Sequence, residues 1–429
     1  MKIVLKQVRL INPEQKLDEK NDLLIEDGTI KKIGGLTETD FKSSQILELE
    51  NKICSPGFFD MHVHLREPGR EDEETVETGS NAAAAGGFTG VACLPNTNPD
   101  IDSAEVVRFI KEKSKDHLVD VFPIAAATLG RKGEALSPMY ELFEAGAVAF
   151  SDDGTVIKNA GILRNALEYS RNFGTPIIEH CEDESLSDGA MNEGYTSTLL
   201  GLAGIPNVAE DIIVMRDIMM AEFIGGKVHI AHISSKNSVE LVRQAKKKGI
   251  KVTAEATPHH FTLTDESVKT YDTNYKMNPP LRTQEDVDAI RLGLKDGTID
   301  CISSDHAPHA IEEKEMEFIF APNGILGLET SVGLAITELV QKKILSLMQL
   351  VEKFAINPRK ILNIPVPQIK VGEKANLSII DPSMIWTVDV SKFKSKSKNS
   401  PFDQRLLTGK SIAVINNNKM FYEDKFVTI

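Results

Sequence analysis

The chain has 429 residues, enough to bury a large core, and its 41% hydrophobic and 26% charged residues are typical of a globular protein. Its formal net charge of -14 speaks against a nucleic-acid partner, and no uninterrupted apolar run approaches the ~20 residues that a membrane span needs. The N-terminus turns polar within a few residues, so we expect no signal peptide. Four scattered cysteines without a C-x-x-C pair are typical of a reducing cytoplasm.

Both ends of the chain are predicted to form short strands joined by tight turns. Near the N-terminus, the pattern is that of a β-hairpin with an Asp27-Gly28 turn, and the last sixty residues contain similar apolar runs. Chain termini often lie close together. We therefore predict a small β-sandwich domain from residues 1–54 and 367–429, beside a central domain of residues 55–366.

The central part alternates short apolar runs with helical stretches. Most of the runs are rich in Val, Ile, Ala and Phe, as fully buried parallel strands are. Asp102 to Glu105 have the spacing of a capping box at a helix start, and Thr283 to Asp286 are predicted to open another helix that ends near Gly297. Eight runs are found, at 57–62, 89–94, 119–126, 147–151, 176–180, 227–232, 250–255 and 299–304.

Eight strand–helix units over ~250 residues predict an α/β fold of the (β/α)₈ TIM-like barrel type. A doubly wound open sheet is the alternative, but it rarely needs eight units. Polar residues favour the barrel, because the carboxyl ends of barrel strands converge on one mouth. Residues able to bind metals or substrates follow most of the runs: His62, His64, Asn96, Asp152, Asp153, His180, His232, Glu255 and Asp305.

The histidines and carboxylates at these strand ends predict a metal site. His62 and His64 are separated by one residue, so an extended strand points both rings to the same side. Imidazole and carboxylate donors suit Zn²⁺, and six donors are too many for one catalytic zinc but suit two metals that share a carboxylate and a water. Such a pair yields hydroxide near neutral pH, a nucleophile for a carbonyl carbon. The donors are His62, His64, His180, His232, Asp305 and one of Asp152 and Asp153.

The carboxylates in this set have simpler alternative explanations. Asp305 could cap a helix after its strand, and Asp152-Asp153-Gly154 could form only a turn. Two histidines and a proline follow Asp305 at once, which favours a chemical role. A carboxylate beside the hydroxide can take its proton and return it to a leaving nitrogen. Strand periodicity cannot choose between Asp152 and Asp153.

Nine motifs run from the first predicted barrel strand to the C-terminal segment: DMHVHLREPG (60–69), PNT (95–97), FSDDG (150–154), EH (179–180), AHIS (231–234), TPHH (257–260), KMNPPLR (276–282), DHAPH (305–309) and NSPF (399–402). In this order and spacing, the chain resembles the dihydroorotases of the amidohydrolase superfamily, in the long bacterial class related to allantoinases and hydantoinases. As a set, these motifs are highly specific.

The resemblance implies reversible ring hydrolysis, in which dihydroorotate plus water gives N-carbamoyl-aspartate, a step of pyrimidine (UMP) biosynthesis. It implies that one or two Zn²⁺ ions are held by His62, His64, Asp153, His180, His232 and Asp305, with Asp305 also the general acid/base. It implies substrate contacts from Arg66, Asn96 and His309 to the carboxylate and from Asn278, Asn323 and Gly324 elsewhere. An arginine fork pairs bidentately with a carboxylate, a group that hydantoin and allantoin lack.

The chain departs from the superfamily pattern at two places. Most relatives bridge their metals with a carboxylated lysine, whereas the fourth run here ends in Asp152 and Asp153, and the nearest following lysine, Lys158, lies beyond a glycine turn. This resembles an aspartate-bridged dihydroorotase subgroup and argues against hydantoinase and allantoinase. Asn323 stands where relatives often carry an aromatic residue, which changes the packing around the backbone contact expected there.

Two alternative functions stay open at this point. One is a related cyclic amidohydrolase (an allantoinase, a hydantoinase or a dihydropyrimidinase), and the other is a non-catalytic scaffold that binds aspartate carbamoyltransferase. The intact donor set speaks against the scaffold, although the fold alone would not. The resemblance leaves open how many metals are bound, whether the chain forms a homodimer, and whether activity requires a complex with the carbamoyltransferase.

Overall fold

The computed structural model describes residues 1–42 and 44–429. Its strands are β1 (Lys2–Asn12), β2 (Leu17–Glu26), β3 (Thr29–Ile33), β4 (Gln45–Glu48), β5 (Ile53–Pro56), β6 (Phe58–Val63), β7 (Phe88–Cys93), β8 (Asp120–Pro123), β9 (Ala125–Ala126), β10 (Phe150–Ser151), β11 (Ile177–Glu179), β12 (Met191–Asn192), β13 (Gly204–Ile205), β14 (Val228–Ile230), β15 (Val252–Ala256), β16 (Cys301–Ile302), β17 (Leu377–Thr387), β18 (Leu406–Asn416), β19 (Lys419–Tyr422) and β20 (Lys425–Thr428).

Its α-helices are α1 (Glu38–Lys42), α2 (Val76–Gly86), α3 (Ala104–Ser114), α4 (Met139–Ala145), α5 (Ala160–Ser170), α6 (Tyr195–Leu200), α7 (Val208–Ile224), α8 (Lys236–Lys247), α9 (Gln284–Asp296), α10 (Ile311–Lys314), α11 (Ser331–Ala335), α12 (Leu347–Val351) and α13 (Asn357–Ile361). Two π-helical segments, Ile336–Val340 and Glu352–Ile356, continue α11 and join α12 to α13. Within the described ranges, no helix combines the length and the apolar character that a membrane crossing requires.

The central strands close into a parallel barrel. β6, β7 and β8 form one sheet, and β9, β10, β11, β14, β15 and β16 lie in another. The predicted run 119–126 joins the two sheets, because β8 pairs with β7 whereas β9 pairs with β10. A parallel bridge between Val63 and His306 closes the barrel, and the His64 N–H donates to the His306 carbonyl over 2.9 Å. All eight predicted runs thus contain a barrel strand, and the predicted fold class is confirmed.

Alternate residues of each barrel strand face different layers of the core. Ile177 and Val91 belong to the large apolar cluster that the strands share with the surrounding helices. Their neighbours Ile178 and Ala92 belong to a second, smaller cluster with Phe59. Side chains of successive strand residues point to opposite faces, so the smaller cluster fills the inside of the barrel. The polar strand ends therefore sit on a packed floor rather than around an open channel.

The two ends of the chain meet in one mixed sheet. Its strand order is β20-β19-β18-β17-β5-β1-β2-β3, with β4 parallel to β1. The antiparallel pairing of β17 with β5 brings the C-terminal segment onto the N-terminal one. A separate apolar cluster that includes Leu5, Leu23, Leu377 and Ile415 packs this sheet. The predicted β-rich unit from both termini is confirmed, while its boundaries (1–54 with 367–429, against 55–366) stay a prediction.

The structure tests the turns and helix starts that the sequence predicts. Asp27 and Gly28 have φ angles of 47° and 67° in the turn between β2 and β3, as the predicted hairpin requires. At the start of α9, the Thr283 N–H donates to Asp286 Oδ2 over 3.1 Å. The capping box predicted at 102–105 is wrong, because Asp102 Oδ2 instead accepts the N–H of Gly130 from a neighbouring loop, over 2.9 Å.

Candidate active site

The six predicted donor residues come together at the mouth of the barrel. His62 lies in β6 and His64 just after it, and the other four follow β10, β11, β14 and β16 as Asp153, His180, His232 and Asp305. All six are at least nine-tenths buried. His232 and Asp305 have positive φ angles of 28° and 47°, so the backbone turns sharply as each strand ends. Such strained positions are typical of functional sites.

Asp153 lies between two pairs of histidines. Its Oδ1 atom is 3.6 Å from His62 Nε2 and 3.6 Å from His232 Nε2, and its Oδ2 atom is 3.7 Å from His64 Nε2. His180 Nδ1 is 3.9 Å from Oδ1. Donor atoms of Asp153 therefore belong to two groups that could each hold a metal ion, one with His62 and His64 and one with His180 and His232. This is the arrangement expected of a bridging carboxylate.

The neighbouring Asp152 has a different environment. Its carboxylate accepts hydrogen bonds from the backbone N–H of Thr128 (2.9 Å) and from the Thr128 hydroxyl (2.5 Å). Both of its oxygens are thus used to hold the loop after β9. The structure places Asp153, and not Asp152, among the histidines, and the role of Asp153 as a metal ligand stays a prediction.

Asp305 is the sixth donor residue and lies beside His62 and His64. Its Oδ1 atom lies 3.1 Å from His64 Nε2 and 3.5 Å from His62 Nε2. Burial by itself would raise the pKa of the Asp305 and Asp153 carboxyls, but the charge of His62 and contacts with the other site histidines lower both pKa values. Both carboxyls are therefore ionised near neutral pH, the form that binds a cation or accepts a proton.

The donors have the unsatisfied polar atoms that a metal ion would satisfy. Among the described residues, His62 Nε2 and Asp153 Oδ1 are buried without a hydrogen-bond partner, and they lie 3.6 Å apart. Leaving buried polar atoms unpaired is costly, so each needs a ligand. Nitrogen and carboxylate donors without thiolate match Zn²⁺ and similar divalent ions. The residues present fit the metal centre that the sequence predicts.

The two histidines of the His-x-His motif are each oriented by a neighbour. His62 Nδ1 is 2.5 Å from Glu255 Oε1, and His64 Nδ1 is 2.8 Å from Asn96 Oδ1. These contacts favour a proton on Nδ1 of each ring and leave Nε2 free to face the other donors. Glu255 is fully buried at the end of β15, and its second oxygen accepts the hydroxyl of Ser303 over 2.6 Å.

A cavity of about 260 Å³ lies above the donor set. Its volume suits a small cyclic amide. Of the six predicted substrate contacts, five line this cavity and Gly324 does not. The lining residues are His64, Arg66, Asn96, Asp153, Gly154, His180, His232, Met277, Asn278, Asp305, Ala307, His309 and Asn323.

Gly324 does not line the cavity but packs against His309, which does. A Cβ atom at this position would lie 2.6 Å from His309 Cδ2, so only glycine allows the close approach. The carbonyl of its neighbour Asn323 contacts His309 Nε2 over 2.8 Å. Asn323 and Gly324 thus set the position of His309.

Arg66 and His309 form a basic side of the cavity. Arg66 Nε donates to the Pro308 carbonyl over 3.0 Å, and a terminal nitrogen of its guanidinium lies 3.4 Å from His309 Nε2. Both residues contact Glu73, whose carboxylate is 3.0 Å from Arg66 Nε and 2.8 Å from His309 Nδ1. Glu73 is only 1% exposed. This buried carboxylate fixes both basic side chains in one place.

Asn278 also lines the cavity and lies beside His180, the histidine that follows β11. Its Nδ2 donates to Glu182 Oε2 over 2.9 Å and lies 3.4 Å from His180 Nε2. Its buried Oδ1 has no hydrogen-bond partner among the described residues. Asn278 therefore offers a fixed acceptor to a ring N–H in the cavity.

Comparisons with known proteins agree with this geometry. A family model described as dihydro-orotase-like matches residues 51–238. The chain is 49% identical over 428 residues to the dihydroorotase of Pelotomaculum thermopropionicum, covering 100% of both chains. It is 50% identical over 426 residues to the dihydroorotase of Geotalea daltonii, covering 99% of this chain and 100% of the other.

The chain belongs to the dihydroorotase family. Among solved structures, the L-hydantoinase (dihydropyrimidinase) of Arthrobacter aurescens superposes with a TM-score of 0.87 at 26% identity, over 100% of this chain and 97% of the other. The dihydropyrimidinase of Brevibacillus agri shares the fold, with a TM-score of 0.85 at 21% identity. The dihydroorotase-family chain thus has the barrel and terminal sheet of the cyclic amidohydrolases.

Sequence reasoning missed several residues that shape this dihydroorotase-family site. Glu255 is predicted only as a polar strand end, and no role is predicted for His229, whose buried Nε2 lies 3.3 Å from Glu255 Oε2. Glu73 and Glu182 received no role. Glu255 had a usable signal, since it lies at the end of the apolar run 250–255. The other acidic residues lie in loops, whose contacts depend on how distant segments fold together.

Proposed function

We propose that this protein is a dihydroorotase, which interconverts (S)-dihydroorotate and N-carbamoyl-L-aspartate. This reaction is a step of pyrimidine biosynthesis. One observation carries the proposal: a single small cavity joins a set of metal-type donors to a basic wall formed by Arg66 and His309. The donors suit hydrolysis of an amide, and the basic wall suits a substrate that carries a carboxylate. Hydantoin and allantoin have no such group.

We propose Zn²⁺ as the metal, one or two ions per chain, held by His62, His64, Asp153, His180, His232 and Asp305. When bound, the metal would lower the pKa of a water molecule and polarise the ring carbonyl. Asp153 supports a two-ion arrangement because its carboxylate lies between the two histidine pairs, with Oδ1 3.6 Å from both His62 Nε2 and His232 Nε2.

Asp305 is the proposed general acid/base. Its carboxylate is ionised in the folded protein and faces the cavity beside His64. It would accept a proton from the attacking water and then pass it to the ring nitrogen as the amide bond breaks. In the direction of ring closure, the same carboxyl would take the proton from the carbamoyl nitrogen.

Arg66, His309 and Asn96 would bind the substrate carboxylate, and Asn278 would accept a hydrogen bond from the ring amide. The Arg66 guanidinium uses Nε on Pro308, which leaves its terminal nitrogens for the ligand. Asn96 uses Oδ1 on His64, which leaves its amide N–H groups for the ligand. These assignments orient the scissile carbonyl toward the donor set.

The test is a comparison of ring opening with dihydroorotate, hydantoin and allantoin on metal-loaded protein. We expect turnover of dihydroorotate and at least a ~100-fold lower kcat/KM for the two uncharged rings, because loss of a carboxylate leaves the basic wall without its partner. Turnover of hydantoin in preference to dihydroorotate would contradict the proposal. Metal analysis of the same sample identifies the ion and its stoichiometry.

Arg66→Ala tests the basic wall. We expect kcat/KM for dihydroorotate to fall by about 10²–10³-fold, mainly through KM, since a buried charge pair typically contributes a few kcal/mol. Metal content should be unchanged because Arg66 is not among the donors. Arg243→Ala, which removes an arginine from a surface ion pair with Glu240, is the matched control and should leave KM unchanged.

The proposal leaves one question about partners, namely whether activity requires aspartate carbamoyltransferase. Some relatives of this subgroup work only in complex with aspartate carbamoyltransferase, so activity should be measured with and without that enzyme. Activity of the chain alone would show that the site is complete in one chain. A metal-loaded chain that is inactive in both measurements would favour the scaffold alternative.

A further inference from the structure

The NSPF motif (399–402) lies far along the chain from the barrel strands, yet its first residue contacts residues that line the cavity. Asn399 is only 4% exposed and lies in the segment that joins β17 to β18. Both of these strands belong to the terminal sheet. The segment therefore brings a buried polar side chain from the terminal sheet to the mouth of the barrel.

Both ends of the Asn399 amide form hydrogen bonds with backbone groups of the mouth. Its Oδ1 accepts the N–H of His309 over 3.1 Å. Its Nδ2 donates to the Ala307 carbonyl over 2.9 Å and to the Gly324 carbonyl over 3.1 Å. One N–H and two carbonyls permit only this orientation of the amide. A single side chain thus links the loop after β16 to the segment that contains Asn323 and Gly324.

The two linked segments lie in close contact. A Cβ atom on Gly324 would lie 2.7 Å from the Ala307 carbonyl oxygen, too close for a side chain to fit. Ala307 and Gly324 are both buried. A buried carbonyl without a donor is costly, and two neighbouring carbonyl oxygens repel one another unless donors lie beside them. The Asn399 amide therefore stabilises the contact between the two segments.

The segment that carries Asn399 is itself anchored at the mouth through buried serines. The hydroxyl of Ser395 donates to Glu74 Oε2 over 2.5 Å, and the hydroxyl of Ser397 donates to the Glu73 carbonyl over 2.6 Å. The two serines are 2% and 6% exposed. Asn399 is thus held in place independently of the groups that it binds, as a side chain that sets the position of others must be.

We propose that Asn399 is a positioning residue for substrate binding, which fixes the backbone of His309 relative to that of Asn323 and Gly324. The inference rests on the proposed dihydroorotase function, in which His309 binds the substrate carboxylate. Asn399 does not line the cavity itself, so it acts through His309 and the neighbouring backbone. A displacement of about 1 Å at a binding group can cost about 100-fold in rate.

A purely structural link between the terminal sheet and the barrel is the alternative, and Asn416 provides the comparison. Asn416 is 5% exposed, and its Nδ2 donates to the Leu118 carbonyl and to Asp120 Oδ2, over 2.9 Å each. These partners lie at the amino end of β8, at the end of the barrel away from the cavity. Asn399 and Asn416 thus make similar links at opposite ends of the barrel.

Steady-state kinetics of Asn399→Ala and Asn416→Ala, on metal-loaded full chain, test the proposal. We expect Asn399→Ala to lower kcat/KM for dihydroorotate about 100-fold, mainly through KM, because the binding group is displaced. Its metal content should be unchanged, since Asn399 contacts none of the six donor residues. Asn416→Ala should lower the unfolding temperature to a similar extent but leave KM within about twofold of the native value.

Asn399→Asp covers the case in which Asn399→Ala does not fold. It keeps the size of the side chain and an oxygen for the His309 N–H, but it places an acceptor against the two carbonyls. We expect it to raise KM at least about tenfold.

A double-mutant cycle tests whether the effect passes through His309. In a His309→Ala background, Asn399→Ala should lower kcat/KM by less than about tenfold, because residues that act through one another are not additive.

Three results would overturn the proposal: a KM within about threefold of the native value in Asn399→Ala and Asn399→Asp, an equal rise of KM in Asn416→Ala, or full additivity with His309→Ala. Failure of the proposed function would be visible in a different sample. Native protein that does not turn over dihydroorotate would overturn that function and this inference together, whereas an active native protein with unaffected Asn399 variants would overturn this inference alone.

Discussion

Asp305 is the residue on which the proposed proton transfer depends. Replacement by Asn keeps the size of the side chain but removes the group that accepts the proton. We expect Asp305→Asn to lower kcat by about 10²–10⁴-fold, the usual contribution of a general acid/base. Steady-state assays in both reaction directions measure the loss. Because Asp305 is also a predicted metal ligand, the metal content of the variant must be measured beside its rate.

Residual activity within about tenfold of the native value, with the metal retained, would remove Asp305 from the acid/base role. Loss of both metal and activity would leave only its ligand role supported. The substitution Asp152→Asn provides the contrast, because Asp152 holds Thr128 and does not face the donor set. It should change kcat far less.

Glu255 should control metal affinity without touching the substrate cavity. Its carboxylate holds His62 Nδ1 and so directs Nε2 toward the metal. We expect Glu255→Gln to weaken Zn²⁺ binding by about 10–100-fold, the typical cost of losing such a support. Competition with a chromophoric chelator measures the affinity, and the visible spectrum of the Co²⁺-loaded variant reports the changed ligand geometry.

Ser303→Ala is the graded control for Glu255. Ser303 donates to the other oxygen of Glu255, so its loss should weaken Zn²⁺ binding by a smaller factor. Thermal unfolding of the metal-free proteins shows whether either variant perturbs the fold itself. An unchanged Zn²⁺ affinity in Glu255→Gln would show that Glu255 does not orient His62.

At the residue scale, the sequence was informative wherever strand geometry is local. His62 and His64 share a face because every second strand residue does, and this could be predicted from their spacing alone. The choice between Asp152 and Asp153 could not, since both follow the same strand and the turn decides which one faces inward. Glu73 contacts Arg66 and His309 and so joins the loop after β6 to the loop after β16. No local pattern in the sequence predicts such a contact.

Two helix starts can be compared to measure how much a side-chain cap stabilises a helix. Ser346 and Ser103 are both serine caps, of α12 and α3. Ser346 exchanges hydrogen bonds with Gln349, whereas Ser103 makes no side-chain cap bond. We expect Ser346→Ala to destabilise the start of α12 by about 1 kcal/mol and Ser103→Ala to have little effect. Hydrogen exchange of peptides from the two helices measures the difference, expected as roughly fivefold faster exchange in α12.

Equal effects of the two substitutions would show that the cap hydrogen bond contributes little. A contact with another part of the chain explains why the capping box at 102–105 was predicted wrongly. Asp102 and Glu105 have the right spacing, but the carboxylate of Asp102 finds a donor in Gly130 of another loop. Spacing reports what a residue can do locally, and a tertiary partner can replace the local one. Gly297 ends α9 at φ 82°, as predicted.

At the scale of the whole molecule, the barrel could be predicted, whereas the residue pairs that join its strands could not. Eight buried runs with helices between them gave the barrel and its order. The split of the third run into β8 and β9, however, depends on two different neighbours, β7 and β10. The bridge from Val63 to His306 joins the first and last barrel strands, and such long-range pairing is absent from any local pattern.

This closure couples metal binding to the stability of the molecule. The six donor residues come from five barrel strands that meet only in the folded chain, so the metal binds the folded state in preference to the unfolded state. Without an ion, the two buried carboxylates keep only histidine partners and several donor atoms stay unsatisfied. We expect chelation to lower the unfolding temperature by several degrees and Zn²⁺ to restore it. Calorimetry with and without chelator, together with metal analysis, measures the shift.

Asp153→Ala separates this effect from a general action of the chelator. Asp153 faces both histidine pairs, so its loss should weaken every part of the metal centre at once. The variant should unfold at a temperature that depends much less on Zn²⁺ and chelator, because free energy from metal binding stabilises the fold only when the ion is bound tightly. Native protein that loses its metal yet unfolds at an unchanged temperature would show that the barrel closes independently of the ion.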